Sequence, residues 1–290
     1  MRIHHQKMDL LIGSLLLRPY VFLFLAAFLV AGHRDLGLRR TLLFGAVVWP
    51  IVWLAEFCST RVGIPFGLYH YTGITRGQEL YVAGVPFFDS LSFTFLAYAA
   101  FCLARFALAG RQVSAPALVL LAGFLMMMLD VVIDPAAVRG DRWFLGRIFY
   151  YPDGGVYFGV PLSNFAGWWI VGAASIGVYC CIGGLAAGSD RGWPGTGARG
   201  SGPQTTDARG SGSQTTDARV ADVRGGRVGA GIALYYGVLG FNLAVTAWIG
   251  EWRLLAAGLV LHALMALAVG ALGGLGSLRR AIGTRGVSRA

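Results

Sequence analysis

At 290 residues, 56% hydrophobic and only 13% charged, the chain is too apolar for a soluble globular protein, in which roughly 25% of residues carry charge. Its net charge of +10 rests on 23 Arg and one Lys spread through connecting segments and tail. No compact basic stripe with interleaved aromatics appears, which argues against a nucleic-acid partner.

Crossing a bilayer takes about 20 apolar residues. The apolar runs predict an all-α, polytopic integral membrane protein of about seven helices, near 15–32, 41–58, 86–109, 115–133, 161–187, 230–249 and 254–275. Arg18-Pro19 pushes the start of the first one inward. The preceding MRIHHQKMDLLIGSLLL is basic then apolar, yet no small-residue cleavage pattern follows, so it reads as retained. Alternate connections hold 15 Arg against nine basic residues in the opposite set. The positive-inside rule then predicts a cytoplasmic tail and an external N-terminus, in a bacterial cytoplasmic membrane.

On the second helix Trp49, Trp53 and Glu56 fall at i, i+4 and i+7, one stripe. An acid among indoles can stay protonated and serve as a general acid, while the rings stabilise a developing cation. The same pattern also fits an interfacial Trp belt with Glu56 at the water edge. The connection that follows, and the one after the fourth helix, are dense in Gly, Pro and aromatics. They read as two hairpin loops dipping back toward the helices on one face. Asp89, after Val85-Pro86, is a candidate for chemistry or for a helix N-terminal cap. Asn164, with Trp168 one turn on, reads the same two ways.

Asp130 and Asp134 are i, i+4 neighbours at the end of the fourth helix, with Pro135 expected to stop it. They suit shared-proton acid chemistry, ion pairing of Asp134 with Arg139 or Arg142, or a metal grip. A serpentine chain puts Glu56, Asp89, Asp130, Asp134 and Asn164 on one face. Membrane carboxylates are costly and therefore functional suspects.

Residues 188–229 carry a tandem decapeptide, ARGSGPQTTD then ARGSGSQTTD, in Gly/Ser/Thr/Arg-rich sequence that predicts a disordered linker. It divides a five-helix core (1–187) from a two-helix block (230–277), which a basic tail follows (278–290). The four Cys lack metal or redox spacing and read as ordinary thiols. The five His form no H-x-x-H or H-x-x-x-H pair, and no P-loop or dinucleotide fingerprint occurs. The expected chemistry therefore needs no cofactor and no metal, only protons, water and shape.

Four segments carry a resemblance: EFCSTRVGIPFGLYHYTG (56–73), VPFFDSLSF (85–93), DVVIDPAAV (130–138) and GGVYFGVPLSNFAGWW (154–169). Together, and in this order, they resemble the membrane-bound carotenoid biosynthesis family, which contains bisanhydrobacterioruberin hydratase and γ-carotene 1′-hydroxylases. The resemblance implies cofactor-independent hydration of the terminal double bond of an acyclic ψ end group. It implies a lipophilic carotenoid substrate reached from the bilayer between helices, and allows contact with other carotenoid-biosynthetic enzymes. Asp134 or Glu56 would then be the general acid, and Asp130 or Asp89 would orient or deprotonate water. Trp53, Tyr69, Tyr71, Tyr157, Asn164 and Trp168 would bind the substrate end. The rival readings are an end-group cyclase, a prenyltransferase using Asp130-x-x-x-Asp134 for a diphosphate–Mg²⁺ site, and a non-catalytic membrane scaffold or transporter.

Overall fold

The computed structural model describes residues 2–109, 114–185 and 213–287, and side chains within 9–109, 114–182 and 228–273. Seven of the described helices are long and apolar enough to cross a membrane. Two of them begin or end where the backbone requires it. Helix α1 (Arg2–Leu17) breaks at Arg18, and Pro19 opens α2 (Pro19–Leu36), where its missing N–H costs nothing. The first span therefore starts at Pro19, and the segment before it is a separate helix. Helix α3 (Leu38–Val62) ends at Gly63, whose left-handed φ of 76° lets its N–H close on the Ser59 carbonyl.

Helix α4 (Phe87–Ala107) is the axis of the bundle. It is apolar on every side, from Phe93 through Ala104 every residue is buried, and such a helix must be enclosed by others. Helices α5 (Ala115–Ala137) and α6 (Leu162–Tyr179, continued by a π turn over Cys180–Leu185) pack beside it. The α5–α6 contact is a close backbone approach. A Cβ on Gly123 would stand 2.7 Å from both the Ala173 nitrogen and the Trp169 carbonyl oxygen. Backbone cannot yield there, so Gly123→Ala is expected to cost about 1–3 kcal/mol. Thermal unfolding of the detergent-solubilised protein reads it, and an unchanged midpoint would refute the close contact.

Pro135 does not stop α5. The helix runs on to Ala137, because a proline in the last turn removes only one donor while the Val138 N–H still reaches the Asp134 carbonyl at 2.9 Å. Helices α7 (Ser213–Trp248) and α8 (Trp252–Val287) complete the bundle. Residues 213–229 of the predicted linker are thus helical, as is the tail to Val287. The first decapeptide and the first half of the second lie outside the described residues. Among the cysteines, Cys102 and Cys180 are buried, Cys58 is half-buried and Cys181 is exposed.

The two Gly/Pro/aromatic-rich connections both lie at the end of the bundle where α3 and α5 finish. In the first, β2 (Tyr81–Val82) and β3 (Val85–Pro86) form a two-residue hairpin. Ala83 and Gly84 both take positive φ there, as a primed turn demands. Across the connections β1 (His70–Tyr71) pairs antiparallel with β4 (Phe149–Tyr150), in the register His70↔Tyr150 and Tyr71↔Phe149. The loops are therefore tied to each other as a roof, with Tyr69, Trp143, Phe149 and Tyr151 buried beneath it. The opposite end is clamped by Arg105, whose Nη1 lies 2.6 Å from Asp35.

Candidate active site

Under the roof lies a cavity of about 900 Å³, counting the solvent in its open mouth. Its polar end is built from three helix ends. Glu56 comes from the last turns of α3, Asp89 from the first turn of α4, and Asp134 from the end of α5. Asn164 arrives from the first turn of α6. Its side chain does not cap that helix. Its amide Nδ2 donates to Asp130 at 2.6 Å and to Asp134 at 3.0 Å, bridging the i, i+4 pair.

Asp130 is fully buried behind that bridge and does not line the cavity. Its Oδ1 has no hydrogen-bond partner among the described residues, and neither has Oε2 of Glu56. Glu56 lies within electrostatic reach of both Asp89 and Asp134, so the carboxyls form one interacting group. Arg139 and Arg142 do not pair with Asp134. Both turn to Glu251 in the α7–α8 turn, Arg139 at 3.5 Å, and leave the aspartates without a cation.

The cation of the site is Arg18, which is 1% exposed. Its Nε and Nη2 grip Glu79 at 2.6 and 3.0 Å, and its Nη1 donates to Asp89. Burial alone would push Arg18 toward its neutral form. The facing Asp89 and Glu79 charges outweigh that and hold it firmly cationic. Asp89 is therefore an ion-pair partner and not a helix cap. Neither Arg18 nor Glu79 stands out when only acids in apolar runs are sought. The signal was the single cation in LLLRPYVF, flanked on both sides by apolar residues.

Aromatic rings wall the rest. Trp168 stacks on Phe93 with centroids 4.1 Å apart and planes at 22°, and Phe66 stands beside both. Tyr69, Tyr71, Phe149 and Tyr151 close the roof edge to edge. Burial, then the negative charge of Glu56, pushes the Tyr69 and Tyr71 phenols well above their ordinary range, so both stay neutral. Tyr151 is likewise raised, by burial and then by Asp134.

Two expected wall residues lie elsewhere. Trp53 turns to the β-hairpin, its Nε1 donating to the Val82 carbonyl at 3.2 Å, and Trp49 donates to Ser90. The indole–Glu56 stripe is split because a helix stripe about 100° wide reaches two environments where the roof meets the bundle. Tyr157 packs on Phe158 and Phe165 beneath its own β-bridge to Val160, outside the cavity.

Seven membrane-length helices around an acidic, aromatic-walled interior cavity define a polytopic helical membrane protein with a site suited to an apolar ligand. The chain belongs to the family described as carotenoid biosynthesis protein, whose model matches residues 16–189. It is also 31% identical over 171 residues to bisanhydrobacterioruberin hydratase of Haloarcula japonica, across 58% of this chain and 55% of that protein. The chain thus spans about half the length of the curated relative it matches. No solved structure matches.

Proposed function

We propose that the protein is a carotenoid hydratase, a carbon–oxygen hydro-lyase that adds water to the terminal trisubstituted double bond of an acyclic ψ end group without a cofactor. The observation that carries this reading is the cavity itself: carboxyls facing a ring-lined volume, in a chain of a family named for carotenoid biosynthesis and with a relative named as a hydratase.

Asp134, aligned by Asn164 and backed by Asp130, gives its proton to the less substituted alkene carbon. The π pair forms the new C–H bond and leaves a tertiary cation. Trp168, Phe93 and the tyrosines face that charge with their ring electrons. Water adds its oxygen to the cation, and Asp89 takes the excess proton, giving a tertiary alcohol. Glu56, within electrostatic reach of both, is the second candidate donor. A proton passed from Asp89 back to the acid group resets the site.

The test is expression in a host making lycopene and γ-carotene, with pigments analysed by mass spectrometry in isotopic water. A product heavier by one labelled water is expected. A new pigment of unchanged mass would make the protein a cyclase, and unaltered pigments would refute the reading for these substrates. In the same assay Tyr157→Phe is expected to stay within about twofold of wild type, since its hydroxyl has no partner among the described residues and lies off the cavity. A deep loss would put Tyr157 back in the substrate wall.

A further inference from the structure

The carboxyls of the cavity sit at one end of the bundle, under the roof. A carotenoid polyene is comparable in length to the hydrocarbon core, roughly 30 Å. Only its end can sit among the carboxyls, so the remainder must leave the cavity somewhere.

Three directions are closed. Above, the β1–β4 pairing holds the roof. Toward the far end of the bundle, Phe28, Phe44 and Tyr98 interlock at centroid distances of 5.2 to 6.2 Å, each no more than 2% exposed. On the α6 side, Gly167 lies against the Pro65 backbone, where a Cβ would stand 2.8 Å from the carbonyl oxygen.

A further side, between α2 and α7, is lined by aromatic side chains. Phe24 of α2 and Phe241 of α7 both line the cavity, with centroids 5.8 Å apart, and Tyr20 stacks on Phe241 at 5.2 Å. Next to them Gly237 supplies no side chain. A Cβ there would meet only the Phe24 ring edge, at 4.0 Å. Gly237 is exposed, on the outer stripe of α7 that also shows Tyr236. Phe24 and Phe241, rings with no polar group to anchor them, beside a missing side chain, make the weakest part of the wall.

We infer that the α2–α7 seam at Phe24, Gly237 and Phe241 is the lateral exit through which the polyene of the substrate runs from the cavity into the bilayer. This rests on the hydratase reading. It gives the two-helix block a specificity role: α7 would select for the apolar chain, while the carboxyls act on the end group.

The experiment compares the full-length protein in proteoliposomes on two substrates with the same terminal double bond, lycopene and the shorter geranylgeraniol. Gly237→Phe fills the seam from its lipid side. It is expected to slow lycopene hydration by about tenfold or more while geranylgeraniol hydration stays within about twofold. Gly229→Phe is the control for insertion and folding. It lies about 12 Å along the same helix, with nothing within 4 Å of its Cβ, and is expected to treat both substrates as wild type does. If Gly237→Phe affected both substrates equally, or neither, the exit would lie elsewhere although hydration stands. If wild type hydrated neither, the hydratase reading would fall and the exit with it.

Discussion

Asp134→Asn is expected to lower hydration by about a hundredfold to ten-thousandfold, the range spanned by loss of a general acid. The amide keeps the size and polarity of the carboxyl, so the bundle should stay folded while the transferable proton is gone. Asn164→Asp makes an informative companion. It replaces the amide that donates to Asp130 and Asp134 with a third acid, and turns two attractive contacts into repulsive ones. Activity should fall with it although the donor carboxyl is still present. Asp130→Asn sits behind the bridge, out of the cavity, and is expected to show a smaller loss than Asp134→Asn. The measurement is labelled-water incorporation per unit of folded protein. Turnover within a few-fold of wild type in Asp134→Asn would remove that residue from the chemistry and leave Glu56 as the donor to test.

Arg18→Gln is expected to be the most damaging single change to stability, at about 3–5 kcal/mol, because it leaves the buried Glu79 and the half-buried Asp89 without their cation. Glu79 has 0% side-chain exposure and no other ion-pair partner among the described residues, and Asp89 would lose its tether at the cavity. Arg18→Lys keeps a charge but not the fork that holds Glu79 at two points, so an intermediate loss is expected. A structural role alone predicts lower unfolding temperature with normal turnover in the protein that folds. If Arg18 also sets Asp89 against the substrate, the Lys variant loses turnover per folded molecule as well. An unchanged unfolding midpoint in Arg18→Gln would show that the triad contributes nothing to the fold.

The triad also accounts for the position of α1. Ser14 Oγ accepts from the Leu80 N–H at 3.2 Å, and Gly13 lies close against the Gln78 backbone. The end of α1 is thereby pressed onto the loop that carries Glu79, one residue before the Arg that Glu79 holds. Leu11, Ile12, Leu15 and Leu16 remain exposed on its other side, as suits a helix at a bilayer surface. The helix, the loop and the buried ion pair brace one edge of the cavity roof.

Much of this architecture was legible in the residues themselves. Runs of about 20 apolar residues have few places to go except across a membrane, and carboxylates that interrupt them are costly enough to mark a site. Alternation of direction along the chain then forces Glu56, Asp89, Asp134 and Asn164 to one end, whatever the packing. Helix boundaries were less legible at Pro135 and in 213–229, because local signals such as a proline or a Gly-rich composition set a propensity that continuing helical bonds override.

What only the tertiary structure decided is which way each side chain faces and who answers its charge. Trp53 and Glu56 share a stripe but not an environment, since one meets the hairpin and the other the cavity. Asp130 and Asp134 share a helix face, yet Asn164 screens one and aligns the other. Arg139 and Arg142, near Asp134 in sequence, are drawn to Glu251, more than a hundred residues away. Periodicity reports the face of one helix at a time. Pairing, screening and depth are properties of several helices at once, and are set by which neighbours the bundle brings within a few ångströms.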